Sequence, residues 1–344
     1  GEAVFATGMS GYQETLTDPS YAGQLVVMTA PHIGNTGMND EDVESRRIWV
    51  DGFIVRDPSR VVSNYRATRS LDDDLVAHGV VGISGIDTRA LTTLLRDQGS
   101  TLGAIKVGAG HETPPAPEEF YDPMAENLIA KVSTKEPYTI HPVGGASAAK
   151  AHIAVMDYGC KANILRSLLR RGASVTVLPW NFDFNTVRDN FDGLFLSNGP
   201  GSPYSIPEAV QVVKRAIDEW DRPIFGICMG NQIIGIAAGI KAYRMKFGNR
   251  GHNQPVVAIS THGTSVRAGR VYITSQNHGF AADEASLPSN VRATHRSLFD
   301  GTLQGIERTD RPAFSFQGHP EASPGPRDVA PLFDRFIAMM QARR

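Results

Sequence analysis

Only two cysteines, Cys160 and Cys228, occur in 344 residues. That is too few for a disulfide framework, so a reducing cytoplasm is the expected compartment. Long hydrophobic runs are missing as well. None approaches the ~20 residues a membrane-spanning helix needs, and Asn231 and Gln232 interrupt the most apolar candidate. No signal-peptide pattern is visible; the chain opens Gly-Glu-Ala-Val-Phe without a methionine, which reads as a trimmed start. Neither sign of charge is in surplus: 34 Lys plus Arg against 36 Asp plus Glu leave a net charge of −2. That gives no reason to expect nucleic acid or a membrane as partner. Paired metal-ligand spacing is absent too. His252, His262, His278 and His295 are dispersed, with no useful cysteine partner, so no metal site is expected. The acidic run Asp72–Asp74 reads as the solvated start of a helix.

What is present is an ordinary globular composition, 41% hydrophobic and 20% charged, in a chain long enough for two domains. Short β-type runs at Ala3–Ala6, Gln24–Thr29, Trp49–Val55 and Val80–Ile83 alternate with helical stretches at Leu71–His78 and Thr88–Asp97. Asp87 or Thr88 is placed to cap the second helix. A mixed α/β domain over residues 1–145 follows from this pattern. Its tail, about 108–150, is linker-like: Pro114, Pro115 and Pro117 lie close together, Pro123–Val132 suits a short helix, and Gly144 to Ala149 is small and polar. From 151 to 344 the pattern is regular. Strands at Ile153–Met156, Ser174–Leu178, Gly193–Leu196 and Pro223–Ile227 alternate with helices at Asn163–Arg171 and Glu208–Trp220. That alternation predicts a doubly wound, mainly parallel sheet with its chemistry at the carboxyl ends of the strands. Further strands at Val256–Ile259, Val266–Thr274 and Ala313–Ser315, some antiparallel, and a helix at Ala330–Met340 complete the reading.

Cys228 stands between a short apolar run and a buried-type helix, flanked as Gly226-x-Cys228-x-Gly230. This is a nucleophile-elbow pattern with cysteine in place of serine. The glycines relieve crowding in a sharp strand-to-helix turn, and the helix N-terminus beside the sulfur favours the thiolate. The alternative is a buried structural cysteine. Two other strand ends fit the elbow. Ser197-Asn198-Gly199-Pro200-Gly201 is a turn whose amides face an anion; it lacks the Lys and Ser/Thr of a phosphate-binding loop, so a nucleotide is a poor reading. The amides of Met229 and Gly199 would together supply an oxyanion hole. At the second strand end, His319 is followed two residues later by Glu321, on the same face of an extended segment. Glu321 would orient His319, and His319 would take and return the thiol proton. Cys160 has no such partner in sequence and reads as packing.

The elbow, the Ser197–Gly201 turn and His319-Pro320-Glu321 resemble the class I (triad-type) glutamine amidotransferases over residues 152–344. The stretches Gly8–Tyr21, Pro31–Gly37, Gly85–Thr92, Gln276–Phe280 and Leu298–Thr302 resemble the small, glutaminase-subunit family of carbamoyl phosphate synthetase, which narrows the likeness over nearly the whole chain. The resemblance implies hydrolysis of glutamine to glutamate and ammonia, with ammonia passed through a tunnel to a large ATP-using subunit. It implies Cys228 as nucleophile forming a γ-glutamyl thioester, His319 as base and acid, and Glu321 as its orienting group. It further implies Ser20, Gly199, Gly201, Met229, Gln232, Asn277, Gly279 and Phe280 around the glutamine. No cofactor is expected on this chain; ATP, Mg and bicarbonate belong to the large subunit. The sequence departs from the family pattern twice: Asn231 stands where many members have His, and Ser202 where the turn often has Asp. Two other readings stay open, an amidotransferase serving another synthase or acting alone, and a scaffold subunit without turnover.

Overall fold

The computed structural model describes residues 1–106, 116, 119–261 and 266–342. Pro114, Pro115, Pro117 and His262 lie outside the described residues. In the N-terminal part, β1 (Glu2–Ala6), β2 (Gln24–Met28), β4 (Gly52–Ile54), β6 (Val81–Ile83) and β7 (Thr101–Leu102) form one sheet in the order β6-β4-β2-β1-β7. Its pairings are parallel except for β7. Two short strands, β3 (His32–Ile33) and β5 (Asp57–Pro58), pair separately. Helix α1 (Tyr12–Thr17) follows β1, and α2 (Leu71–His78) and α3 (Thr88–Gln98) follow β5 and β6. The acidic run starts α2: Ser70 and Asp73 form a reciprocal capping box, while Asp74 is buried against Arg69. Asp87 accepts the Ala90 amide and caps α3.

The stretch read as linker is built into the second sheet. Helix α4 (Leu128–Val132) places Ile129 in the larger core, and β8 (Tyr138–Ile140) pairs antiparallel with β10 (Ala173–Pro179). The remaining strands are β9 (Ala151–Asp157), β11 (Gly193–Leu196), β12 (Ile224–Ile227), β13 (Ala242–Ala258), β14 (Val271–Ala282), β15 (Val291–Ser297), β16 (Leu303–Arg308) and β17 (Ala313–Phe316). Their order is β14-β13-β15-β16-β17-β12-β11-β9-β10-β8, parallel from β17 to β10 and antiparallel outside it. Helices α5 (Ala162–Arg170) and α8 (Pro331–Gln341) cover one face; α6 (Pro207–Glu219) and α7 (Met229–Ala237) cover the other.

Period-two alternation explains why these strands read as continuous apolar runs. Ile153, Val155, Phe195, Phe225 and Ile227 enter the core under α5 and α8, while Ala154, Met156, Leu194, Leu196 and Ile224 enter the core under α6 and α7. Strands β15 and β16, and most of the β13–β14 ribbon, are not expected from sequence. Strand β13 carries Arg244, Lys246, Gly248, Arg250, Gly251 and Pro255, with register shifts between Arg244 and Asn249 and between Gly251 and Gln254. A twisted, half-exposed ribbon of that composition shows no apolar run to find. This ribbon meets the N-terminal sheet: the Thr7 amide donates to Arg250 O at 3.1 Å and Arg244 pairs with Glu2 at 2.7 Å. Among the described residues no helix is long and apolar enough to cross a membrane.

Phe225 lies at the centre of the larger fold. It is fully buried, stacks on Phe314 at 4.4 Å and meets Phe195 edge-on at 5.2 Å. Phe225→Ala removes those contacts and opens a cavity beneath the elbow, so it should cost about 3–5 kcal/mol. Denaturant unfolding of both proteins measures this; a loss below about 1 kcal/mol would show that the aromatic cluster does not carry the sheet.

Candidate active site

Strand β12 delivers Cys228 into a strained turn. Its φ of 53° and ψ of −106° lie where non-glycine residues rarely sit. The backbone around it holds that conformation: the Cys228 amide donates to Phe316 O at 2.9 Å, and the Gly230 amide to Ser197 O at 3.0 Å. A Cβ on Gly226 would meet Gly230 O at 2.5 Å, and one on Gly230 would meet Leu196 O at 2.2 Å, so both flanking positions require glycine. The sulfur is buried and its S–H donates to Asn277 O at 3.4 Å. Met229 provides the first amide of α7, one of the four that an α-helix leaves without an intrahelical acceptor.

His319 and Glu321 follow β17, both 2% exposed, with His319 Nδ1 2.7 Å from Glu321 Oε1. The imidazole Nε2 is buried, and the Cys228 sulfur lies close enough to interact with the ring. Burial alone would lower the pKa of His319; the Glu321 carboxylate and Cys228 outweigh it and push it up to about 10. Burial alone would raise that of Glu321; the Lys161 ammonium and His319 reverse it and hold it down at about 2.

Lys161 is the residue that sequence reasoning passed over. It follows Cys160 at the start of α5, is 2% exposed, and sets Nζ 3.1 Å from Glu321 Oε1 and 2.6 Å from Ala322 O. Its position at the carboxyl end of a parallel strand was the available signal. Asp18 was also missed. Its buried carboxylate accepts from the Ser20 amide at 2.9 Å, Asn198 Nδ2 at 3.3 Å and Asn277 Nδ2 at 3.2 Å. Two of the dispersed histidines also gather here. His278 Nδ1–H donates to Phe280 O at 2.8 Å, and burial pulls its pKa down to about 4. His252 lines a small cavity with Asp18, Lys161, Asn277 and His319; burial, then Lys161 and His319, lower its pKa to about 4.

The other residues named from sequence fall into two groups. Asn198 Nδ2 donates to Ser20 Oγ at 2.8 Å, tying the Ser197–Gly201 turn to the N-terminal part. Gly199 packs so closely on Tyr158 that a Cβ would lie 2.2 Å from its carbonyl oxygen. Gly201, Gly279 and Phe280 line a second cavity together with Arg250. Gln232 reaches it by donating to Phe280 O at 3.2 Å. The two departures are also accommodated. Asn231 bridges Ser315 and Gln317 at 2.7 and 2.9 Å, and Ser202 Oγ accepts the Tyr204 amide at 3.2 Å.

The family model described as glutamine amidotransferase class-I matches residues 154–339, and that of the carbamoyl-phosphate synthase small chain, CPSase domain, matches residues 1–105. The chain is 50% identical to the carbamoyl phosphate synthase small chain of Pseudomonas aeruginosa, over 100% of this chain and 93% of that protein. The chain belongs to the carbamoyl phosphate synthase small chain family. Within it, residues 154–339 make up a class I glutamine amidotransferase domain. The Escherichia coli O6:H1 small chain of the family is 48% identical over 100% of this chain and 92% of its own length. Among solved structures, a glutamine amidotransferase from Thermotoga maritima superposes with a TM-score of 0.39 at 17% identity, covering 56% of this chain and 84% of its own.

The coupled charges fix a pH dependence for this small chain family member. The folded pKa of His319 lies above its ordinary 6.5, so its contribution to stability is complete below that value and is lost as pH rises toward about 10. Glu321 is depressed, so its contribution is complete above 4.5 and is lost as pH falls toward about 2. The stability advantage of the wild type over His319→Asn should therefore be greatest between about pH 4.5 and 6.5 and should shrink toward pH 10. Thermal melting across that range tests it, and an advantage that grows with rising pH contradicts the assigned charges.

Proposed function

We propose that this chain is the glutaminase subunit of carbamoyl phosphate synthetase, hydrolysing glutamine to glutamate and ammonia through Cys228, His319 and Glu321. The observation that carries the reading is the buried His319–Glu321 pair set beside a cysteine held in a strained strand-to-helix turn. Cys228 first gives its proton to His319 Nε2, whose raised proton affinity favours the thiolate–imidazolium pair, and the thiolate Sγ then attacks the γ-carboxamide carbon of glutamine. The amides of Met229 and Gly199 receive the negative charge that develops on the oxygen. His319 then returns a proton to the departing nitrogen, and ammonia leaves a γ-glutamyl thioester. Water, deprotonated by His319, attacks the thioester carbon; glutamate departs and the thiol is restored. Glu321 holds the imidazole in the tautomer with Nδ1–H and stabilises its protonated form.

Ser20, Gly201, Gln232, Asn277, Gly279 and Phe280 hold the amino-acid end and flanks of glutamine. Ser20 and Asp18 belong to the N-terminal part, so the substrate is held between the two parts of the chain. Ammonia is delivered to a large ATP-binding subunit through a tunnel, and ATP, Mg²⁺ and bicarbonate are handled there. No cofactor is assigned to this chain.

Glutamate release from glutamine, with and without the large subunit, tests the reading. Cys228→Ser should lower turnover by about a thousandfold or more while glutamine binding persists, because a serine hydroxyl at this position is a far weaker nucleophile and the oxyanion donors are main-chain amides. Turnover by the serine variant within about tenfold of wild type removes Cys228 from the chemistry. No stimulation by the large subunit would count against coupling.

A further inference from the structure

Glu44 takes no part in the chemistry above, yet its side chain is only 1% exposed. It lies on the N-terminal part of the chain and binds the start of α5 in the second. Its carbonyl oxygen accepts the Ala162 amide at 2.7 Å and its Oε2 accepts the Asn163 amide at 3.0 Å. Oε1 pairs with Arg166 at 3.3 Å. The residue preceding α5, Lys161, offers no capping side chain of its own. Glu44 therefore caps α5 from a distant part of the sequence, with a negative charge at the positive end of the helix.

The segment that Glu44 grips is the segment that grips Glu321. Lys161 Nζ contacts Glu321 Oε1 and Ala322 O, and Asn163 Nδ2 donates to Glu321 O. Bonded contacts thus run without a break from Glu44 through residues 161–163 to Glu321, and from Glu321 to His319 Nδ1. Burial pushes the Glu44 carboxyl up to about 7 against the pull of Lys161, the Asn163 amide and Arg166, and Glu321 adds to the rise. In return, Glu44 strengthens the proton affinity of Lys161.

We propose that Glu44 is a positioning residue for the Glu321–His319 pair, through which the N-terminal part of the chain sets the geometry of glutamine hydrolysis. The inference rests on the glutaminase reading. It assigns the N-terminal part a share in hydrolysis that does not pass through contact with glutamine.

The test uses the full chain. Glu44→Gln keeps the shape and an acceptor for the Asn163 amide but removes the charge; Glu44→Ala removes both, and Glu41→Gln, an exposed neighbour, is the control. The expected result is a fall in kcat of about tenfold to a hundredfold with KM for glutamine unchanged, the pattern of displaced reacting groups rather than lost binding. The imidazole proton resonance of His319, followed in protein labelled at histidine nitrogen, should shift in Glu44→Gln and not in Glu41→Gln. A Glu44→Gln protein with wild-type kcat and an unmoved His319 resonance overturns the proposal, even if its melting temperature drops, because Glu44 is then only a helix cap. If the wild type itself releases no glutamate, the glutaminase reading fails, and the His319 resonance still decides whether Glu44 positions the pair. Should Glu44→Ala fail to fold, Glu44→Gln carries both measurements.

Discussion

Two buried cationic groups converge on one carboxylate oxygen: Glu321 Oε1 lies 2.7 Å from His319 Nδ1 and 3.1 Å from Lys161 Nζ. All three side chains are at most 2% exposed. Charges so placed persist only when they are paired and hydrogen-bonded, since breaking such a pair leaves a buried charge uncompensated at a cost of about 3–5 kcal/mol. One carboxylate does not balance two cations. Further negative charge near Lys161 comes from Glu44, once ionised above about pH 7, and from Asp18, and both belong to the N-terminal part. The second sheet can bury a lysine beside its histidine because the first part supplies the counter-charge. The domain contact and the site are therefore one electrostatic unit.

The sheet supplies the proximity. Four adjacent strands, β17, β12, β11 and β9, run parallel and end at His319, Cys228, the Ser197–Gly201 turn and Lys161 respectively. Each of those segments is followed by a turn or a helix start, so their free amides and side chains collect along one edge. Rigidity comes from close packing. A parallel sheet covered on both faces has little freedom to shift one strand end against the next, and the hydrogen bonds of Cys228 to Phe316 and of Gly230 to Ser197 cross those strand ends. The strain at Cys228 persists because its neighbours over-determine it.

What the sequence disclosed follows from range. The elbow is legible because Gly226, Cys228 and Gly230 act on one another within one short turn, and His319 with Glu321 because a short extended segment brings them to one side. Helix α2 declares itself through its acidic start, Asp72–Asp74, and α3 through Asp87, which bonds within three residues. Lys161 stayed hidden because its partners are 160 and 161 residues away, and its place past the carboxyl end of a parallel strand was the one local sign of a role. Asp18 was hidden differently. It caps the Pro19–Tyr21 turn, which accounts fully for an Asp-Pro-Ser stretch and conceals that its carboxylate also receives Asn198 and Asn277. The β13–β14 ribbon escaped because its polar, bulged strands are held by backbone pairing and by the N-terminal sheet, neither of which leaves an apolar period.

Asn231 and Ser202 are each held by hydrogen bonds away from Cys228, His319 and Glu321. Asn231 receives Ser315 Oγ and donates to Gln317 Oε1, completing a buried polar link between α7 and the end of β17. An amide serves there because both a donor and an acceptor are needed, and a neutral imidazole offers the same pair. Ser202 keeps the turn it begins: its hydroxyl accepts the Tyr204 amide and its carbonyl accepts Ser205 Oγ. A carboxylate at that place would add charge to the same cap, not a different contact. Neither residue bonds to Cys228, His319 or Glu321. At positions 202 and 231 the structure requires a hydrogen-bonding pattern; at Lys161 it requires a charge that two parts of the chain balance together.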